Sequence, residues 1–139
     1  MGAGAMAGRA RVRRLKRRFS RTDGLRAVPE SRRAVRELLG HWGRPGQAET
    51  AELLTSELVT NALVHTDRAA VLRVAAGPRR LRVEVRDFVR YRPRPRGPVP
   101  HEATGGRGLM LVESLSDRWG VRGLGIGKTV WFELETGHP

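Results

Sequence analysis

Apolar residues in the first half of the chain recur at the spacing of two helices. After Pro29, a residue typical of a first helical turn, they fall on one stripe until glycines interrupt the pattern, and they are Val35, Leu38, Leu39 and Trp42. A second helix is predicted for about residues 48–65, where apolar residues form two stripes instead of one. Because both apolar stripes must pack against other elements, this helix should be buried on both sides.

Later segments alternate apolar and polar residues with the period of two that is typical of strands. The clearest case is 81–88, where Leu81, Val83 and Val85 alternate with charged residues. The predicted elements after the second helix are, in order, strands at 70–76 and 81–88, a helix at 109–115, and strands at 119–122 and 129–135. This order predicts an α/β fold of the α+β sandwich type, with a mixed, mainly antiparallel sheet covered on one face by helices.

The segment 89–104 has no periodicity and carries four prolines and four arginines. A connection of this length is unusual in a small domain, where such loops are usually functional lids or disordered segments. We therefore predict a mobile lid at 89–104, between the second predicted strand and the third predicted helix.

The 139-residue length suits one domain, and the absence of cysteine excludes disulfides, cysteine-based zinc sites and thiol nucleophiles. No apolar run approaches the roughly 20 residues that a membrane helix needs. The N-terminus also lacks the apolar block of a signal peptide. The sequence therefore predicts a soluble, cytoplasmic protein without membrane contact.

The formal net charge of +13 is concentrated towards the N-terminus. Seven of the ten residues 9–18 are Arg or Lys, in a context that has little apolar surface to bury. We therefore predict a disordered basic tail at 1–18 and a folded domain at 19–139. The tail has no interleaved aromatic residues for base stacking, so nucleic-acid binding is expected only as an unspecific contact of the tail.

Two polar residues interrupt an apolar stripe of the second helix. Glu57 and Asn61 are four residues apart, so their side chains share one helix face. One interpretation is structural, with both side chains hydrogen-bonded to neighbouring backbone. The other is chemical, because the amide oxygen of Asn61 suits Mg²⁺ and a carboxylate at Glu57 is placed to orient or deprotonate a nucleophile.

Asp87 stands at an odd-numbered position of the predicted strand, on the same face as Val83 and Val85. A carboxylate aimed inward needs a hydrogen-bonding partner. It is either a turn-forming residue at the end of the strand or an acceptor for an exocyclic amine such as adenine N6.

The run 105–109 places three glycines directly ahead of the predicted third helix. Its backbone N–H groups and the helix N-terminus can face an anion together, which predicts a phosphate contact there. The run matches neither the Walker pattern nor a dinucleotide fingerprint. The four histidines are scattered without metal-ligand spacing, and we expect none to bind a metal.

Taken in order, four segments of the chain resemble the sequence boxes of the GHKL ATPase superfamily. They are 57–62, 86–87, 106–109 and 127–132. The resemblance covers about residues 25–136, and the small single domain is similar to the anti-sigma-factor serine kinase branch. It implies a histidine kinase-like, Bergerat-type fold that binds Mg·ATP.

The resemblance also implies a role for each matching residue. Asn61 contacts Mg²⁺, Glu57 is the general base, and Asp87 binds adenine. The residues assigned to phosphate contacts are Gly105, Gly106, Arg107, Gly108 and Leu109. Thr129 is a weaker candidate for the adenine site, because the family's Thr directly after a glycine is Lys128 in this chain.

Three functional hypotheses follow. The first is a serine/threonine protein kinase that phosphorylates a small anti-anti-sigma partner and sequesters a sigma factor, with a homodimer as a further expected assembly. The second is a non-catalytic ATP-binding module that interacts with a partner. The third, a basic nucleic-acid binder, requires that binding survive deletion of residues 1–18.

Overall fold

The computed structural model describes residues 11–64, 69–88, 109–123 and 126–137. Its elements, in chain order, are β1 (Arg13–Ser20), a 3-10 helix (Arg21–Arg26), α1 (Ala27–Leu39), α2 (Gln47–Val64), β2 (Ala69–Ala76), β3 (Arg80–Asp87), α3 (Met110–Leu115), β4 (Arg118–Gly123) and β5 (Lys128–Glu135). The three predicted helices and four predicted strands are all present, close to their predicted bounds. The predicted lid at 89–104 and the residues 105–108 lie outside the described residues.

The five strands form one sheet in the order β1-β2-β3-β5-β4, and every pairing within the described residues is antiparallel. The helices pack on one side of this sheet, which we call the covered face; Leu72, Val83 and Phe132 point there and are buried. The opposite side is the open face. This arrangement confirms the predicted α+β architecture.

The strand β1 corrects the expectation of a disordered tail at 1–18. Arg13–Ser20 pairs along its whole length with β2. Leu15 and Phe19 face the helices, and Phe19 is only 5% exposed, whereas the charged residues at the positions between them stay exposed. An edge strand tolerates such charges because its outer side meets water. The folded domain therefore includes 13–18, and residues 1–10 lie outside the described part.

The helix α2 is the centre of the helix layer. It packs against β2, β3 and β5, and it contacts both α1 and α3. Both of its apolar stripes are buried, as the sequence predicted. Glu52 of α2, which is 6% exposed, accepts hydrogen bonds of 2.9–3.2 Å from Nε and Nη2 of Arg36 on α1. This ion pair ties α1 to α2. No helix of the described chain is long and apolar enough to cross a bilayer.

Truncation separates the tail from the strand. We expect a chain that starts at Arg11 to have a free energy of unfolding within about 0.5 kcal/mol of that of the full chain, because it keeps β1 intact. A chain that starts at Phe19 loses most of the β1–β2 hydrogen bonds and the packing of Leu15. We therefore expect its free energy of unfolding to be lower by roughly 3 kcal/mol or more. Urea unfolding followed by circular dichroism measures both. Equal free energies of unfolding for the two truncated chains would show that residues 13–18 add no stability and belong to the tail.

Candidate nucleotide site

Glu57 lies on α2 where this helix passes the start of α3. The backbone N–H of Leu111, in the first turn of α3, lies close enough to this carboxyl to lower its pKa. The first N–H groups of a helix have no partner within it, so their partial positive charge favours a carboxylate nearby. The side chain is half-buried, and its Oε1 has no hydrogen-bond partner within the described part of the chain.

Burial raises the pKa of the Glu57 carboxyl above its ordinary value, and the nearby Leu111 N–H opposes that rise. Desolvation penalises the charged form, so the ionised carboxylate takes up a proton more readily than a solvent-exposed glutamate. A carboxylate of raised basicity is suited to accept a proton from a neighbouring hydroxyl.

Asn61 follows one turn later on α2. It is 6% exposed, and its Oδ1 is buried. Within the described ranges no three or more acidic or histidine side chains lie together as possible ligands of a metal ion. Mg²⁺ is usually held by one or two protein oxygens besides water and substrate phosphates, so a single amide oxygen suits this kind of site. The structure thus places Glu57 and Asn61 one turn apart on one helix, as predicted.

Asp87 is the last residue of β3 and lies on the covered face, where it is 2% exposed. Its Oδ2 is 2.9 Å from Nζ of Lys128, and its Oδ1 accepts a hydrogen bond of 3.2 Å from the Lys128 backbone N–H. The Lys128 side chain is 5% exposed. The inward direction predicted for Asp87 is confirmed, and a buried cation of the same chain is bound to it.

Gly127 makes this pairing sterically possible. Its φ is +85°, and a Cβ placed on it would lie 2.0 Å from the carbonyl oxygen of Asp87. A side chain at this position would therefore collide with the end of β3, besides straining the backbone. The close approach brings the next N–H, that of Lys128, onto the Asp87 carboxylate.

Thr129 and Asp87 lie on opposite faces of the sheet, in agreement with the rank of Thr129 as a weaker candidate for the adenine site. The β3–β5 register pairs Thr129 with Arg86, so both side chains are on the open face. Lys128, one residue earlier, shares the covered face with Asp87. Successive side chains of a strand point to opposite faces, so the one-residue offset from the family pattern decides which residue reaches the site.

Lys128 is the site residue that the sequence prediction missed. Two signals in the sequence point to it. An inward carboxylate at Asp87 requires a partner, and Lys128 alternates with the apolar Val130 and Phe132 on the covered face. Any base that binds at Asp87 therefore meets a carboxylate already engaged by an ammonium group.

The start of α3 completes the described part of the site. Leu109 directly precedes this helix and is fully buried in the core, so it anchors the helix start. The other predicted phosphate contacts, Gly105, Gly106, Arg107 and Gly108, lie outside the described residues. Within the described chain, α2 therefore carries Glu57 and Asn61, and the β3–β5 edge carries Asp87 with Lys128.

The Asp87–Lys128 pair makes a stability prediction. Asp87→Asn removes the carboxylate that is bound to the buried Lys128 ammonium, so we expect a loss of about 3–5 kcal/mol in the free energy of unfolding. Lys128→Met alone should also destabilise, because it removes the ammonium that is bound to the buried carboxylate. The double variant should recover part of the loss. Urea unfolding of the four proteins gives the coupling energy. Additive losses would show that the two charges do not stabilise each other.

The family profile for the histidine kinase-like ATPase domain matches residues 22–134. Comparison with curated proteins gives no significant match. The matched segment contains α2 with Glu57 and Asn61, the Asp87–Lys128 pair and all of α3, so the site described above falls within it. The resemblance to the GHKL superfamily is thereby confirmed. The chain belongs to the histidine kinase-like ATPase domain family, and this membership supports ATP binding in a regulatory protein.

Proposed function

We propose that the chain is an ATP-dependent serine/threonine protein kinase that phosphorylates a small anti-anti-sigma partner. The observation that supports this most directly is the state of Glu57. Its carboxyl lies near the first turn of α3, its pKa is raised by burial, and its buried Oε1 has no donor among the described residues. These are the properties that a general base next to a bound nucleotide requires.

The transfer step follows from that geometry. The hydroxyl oxygen of a partner serine attacks the γ-phosphorus of ATP, the bond from that phosphorus to the bridging oxygen breaks, and ADP leaves with the electron pair. Glu57 accepts the hydroxyl proton as the new phosphorus–oxygen bond forms. Since phosphoryl transfer depends mainly on positioning and charge stabilisation, one well-placed carboxylate contributes through the orientation of the attacking hydroxyl.

The metal and phosphate contacts are assigned to the residues that match the family. Asn61 would hold Mg²⁺ through its amide oxygen, and the metal would neutralise charge on the triphosphate. Backbone N–H groups of Gly105, Gly106, Arg107, Gly108 and Leu109 would contact the phosphates.

The protein partners rest on the resemblance to anti-sigma-factor kinases alone. Sequestration of a sigma factor, recognition of a phosphorylatable anti-anti-sigma protein and homodimerisation all depend on surface residues. The fold does not determine these residues. The proposal places the protein in the cytoplasm, as a regulator of transcription.

A second candidate function is a non-catalytic ATP-binding module, and the Asp87–Lys128 pair favours it. Adenine donates a hydrogen bond through N6, but the carboxylate that would accept it is already bound to Nζ of Lys128. Base binding must then share or open a buried ion pair, which reduces affinity. In such a module the nucleotide stabilises a partner-binding shape, without transfer of its γ-phosphate.

Mg²⁺-dependent ATP binding is the first expected outcome. Isothermal calorimetry should show binding of ATP that weakens when the metal is chelated with EDTA, because Asn61 acts through the metal. Asn61→Leu should lose the Mg²⁺-dependent part of the affinity and keep the remainder. Absence of heat and of a thermal shift at millimolar Mg·ATP would contradict both candidate functions.

Glu57→Gln separates the kinase from the module. The variant keeps the shape of the side chain but cannot take a proton, so we expect ATP affinity within a few fold of the parent and phosphoryl transfer lower by about 10²–10⁴-fold. The parent rate should rise with pH as Glu57 loses its proton, through a pKa above the ordinary glutamate value, and the variant should lack that rise. Hydrolysis of γ-labelled ATP, with water in place of the serine, provides the readout until a pull-down supplies the partner.

Glu49→Gln is the matched control, since Glu49 is an exposed glutamate in the first turn of the same helix. It should change neither rate nor affinity. If Glu57→Gln transfers phosphate normally, Glu57 has only a structural role. If the parent itself transfers nothing to its true partner, the binding module is the correct function.

A further inference from the structure

The open face of the sheet carries far more cations than anions. The strand registers place nine basic side chains there, which are Arg14, Lys16, Arg18, Arg73, Arg80, Arg82, Arg86, Arg118 and Arg122. Three acidic side chains share this face, which are Glu84, Glu133 and Glu135. The excess positive charge is therefore a property of one surface of the folded domain, in addition to Arg9, the one Arg or Lys in residues 1–10 of the sequence.

The three acidic residues are already paired with two of the arginines. Arg82 bonds Glu84 and Glu133 at 2.9 Å each, and Arg80 lies 3.9 Å from Glu135. The cations on β1 and β2 have no ion pair with any described residue, and they are exposed; they are Arg14, Lys16, Arg18 and Arg73. This half of the face is thus free to bind an external anion.

A groove runs between these cations and β3. The small side chain of Ala75 lines it, and around it stand Arg14, Lys16, Arg73 and Arg82, the last of them paired with Glu84. Side chains two apart on β1 lie on the same face, roughly 6.6–6.8 Å apart along the strand. Consecutive cations along one line are suited to a ligand that repeats its negative charge along a chain.

Trp131 lies on the open face of β5, opposite Glu84 of β3, which is one of the residues that line this groove. It is half-buried and lies against Gly120, where an added Cβ would approach the indole ring to 2.9 Å. The Arg82 guanidinium stacks over the ring, 4.2 Å from its centroid. An aromatic ring and a stacked guanidinium plane in a basic groove together form a surface on which nucleobases stack.

We propose that the open face binds single-stranded nucleic acid, with phosphates on the β1–β2 cations and bases against Trp131 and Arg82. Protein interfaces have an apolar core depleted of charge, whereas this face is polar and strongly positive, as nucleic-acid interfaces are. A second copy of the chain would oppose like charges. Within the described residues the helices lie on the covered side, so the open face carries no helix that could enter a duplex groove, which favours a single strand.

This inference does not depend on the proposed kinase function. It also extends the expectation from sequence, which confined nucleic-acid contact to residues 1–18, because the face includes cations of β2, β3 and β4. The probe is a fluorescein-labelled poly(U) of about 20 nucleotides, titrated with the full chain and followed by anisotropy over a salt series.

The test variant is Arg14→Gln/Lys16→Gln/Arg73→Gln, which removes three cations around the groove. The matched control is Arg26→Gln/Arg32→Gln/Arg33→Gln, which removes three exposed cations from the helix side. At about 0.1 M salt we expect the face variant to lose at least about tenfold in affinity, with the slope of log K against log salt reduced by about 2. The control should change less than about threefold, and both variants should keep the thermal stability of the parent.

Trp131→Leu should weaken poly(U) binding without changing the salt slope, because it removes stacking and no charge. Three results would overturn the proposal. They are equal losses in the two triple variants, tighter binding of a duplex of the same length, and competition by polyglutamate as strong as that by poly(U) at equal charge. The last result would assign the face to an acidic protein.

Discussion

The structure depends on one constraint, which is that a single layer of helices covers a five-stranded sheet on one side only. Each strand position therefore belongs to the covered or the open face according to its parity. Covered positions must be apolar or fully paired, because burial of an unpaired charge costs several kcal/mol. Asp87 and Lys128 meet this requirement by binding each other. Open positions lie away from the helix layer, where charges are exposed or paired, as Glu133 is with Arg82, and most of the strand arginines are found there.

The same constraint explains why α2 holds the candidate catalytic groups. As the central helix it is surrounded by the sheet, α1 and α3, so a polar side chain on it is desolvated and must find a partner. Glu52 accepts a hydrogen bond from Arg36, and this bond connects α1 with α2. Glu57 lies near the start of α3 and keeps a buried oxygen without a donor among the described residues. Desolvation by burial raises the pKa of its carboxyl, a shift that is common among carboxylates of functional sites.

Periodicity predicted the three helices and four of the strands, because the one-sided cover makes the apolar pattern strong in each. β1 was missed since its composition is dominated by Arg and Lys, and only Leu15 and Phe19 reveal its inward side. The inward carboxylate of Asp87 was predictable from alternation within one strand. Its partner Lys128 was missed, although alternation along β5 indicates its inward side, because the pairing of β3 with β5 joins residues 41 apart and is set by long-range packing. The one-residue offset that made Thr129 a weak candidate for the adenine site is the step that separates the two faces of the sheet.

The strand β5 links the two faces. Lys128, Val130 and Phe132 form part of the covered side with the Asp87 pair, while Thr129 and Trp131 alternate with them on the open side. The candidate adenine contact and the basic surface are thus separated by one residue step of a single strand. A substitution at an even position of β5 acts on the packing and charge around the nucleotide site, and one at an odd position acts on the open face. Since successive side chains of a strand point to opposite faces, whether a β5 residue has an even or an odd number assigns its side chain to the covered or the open face.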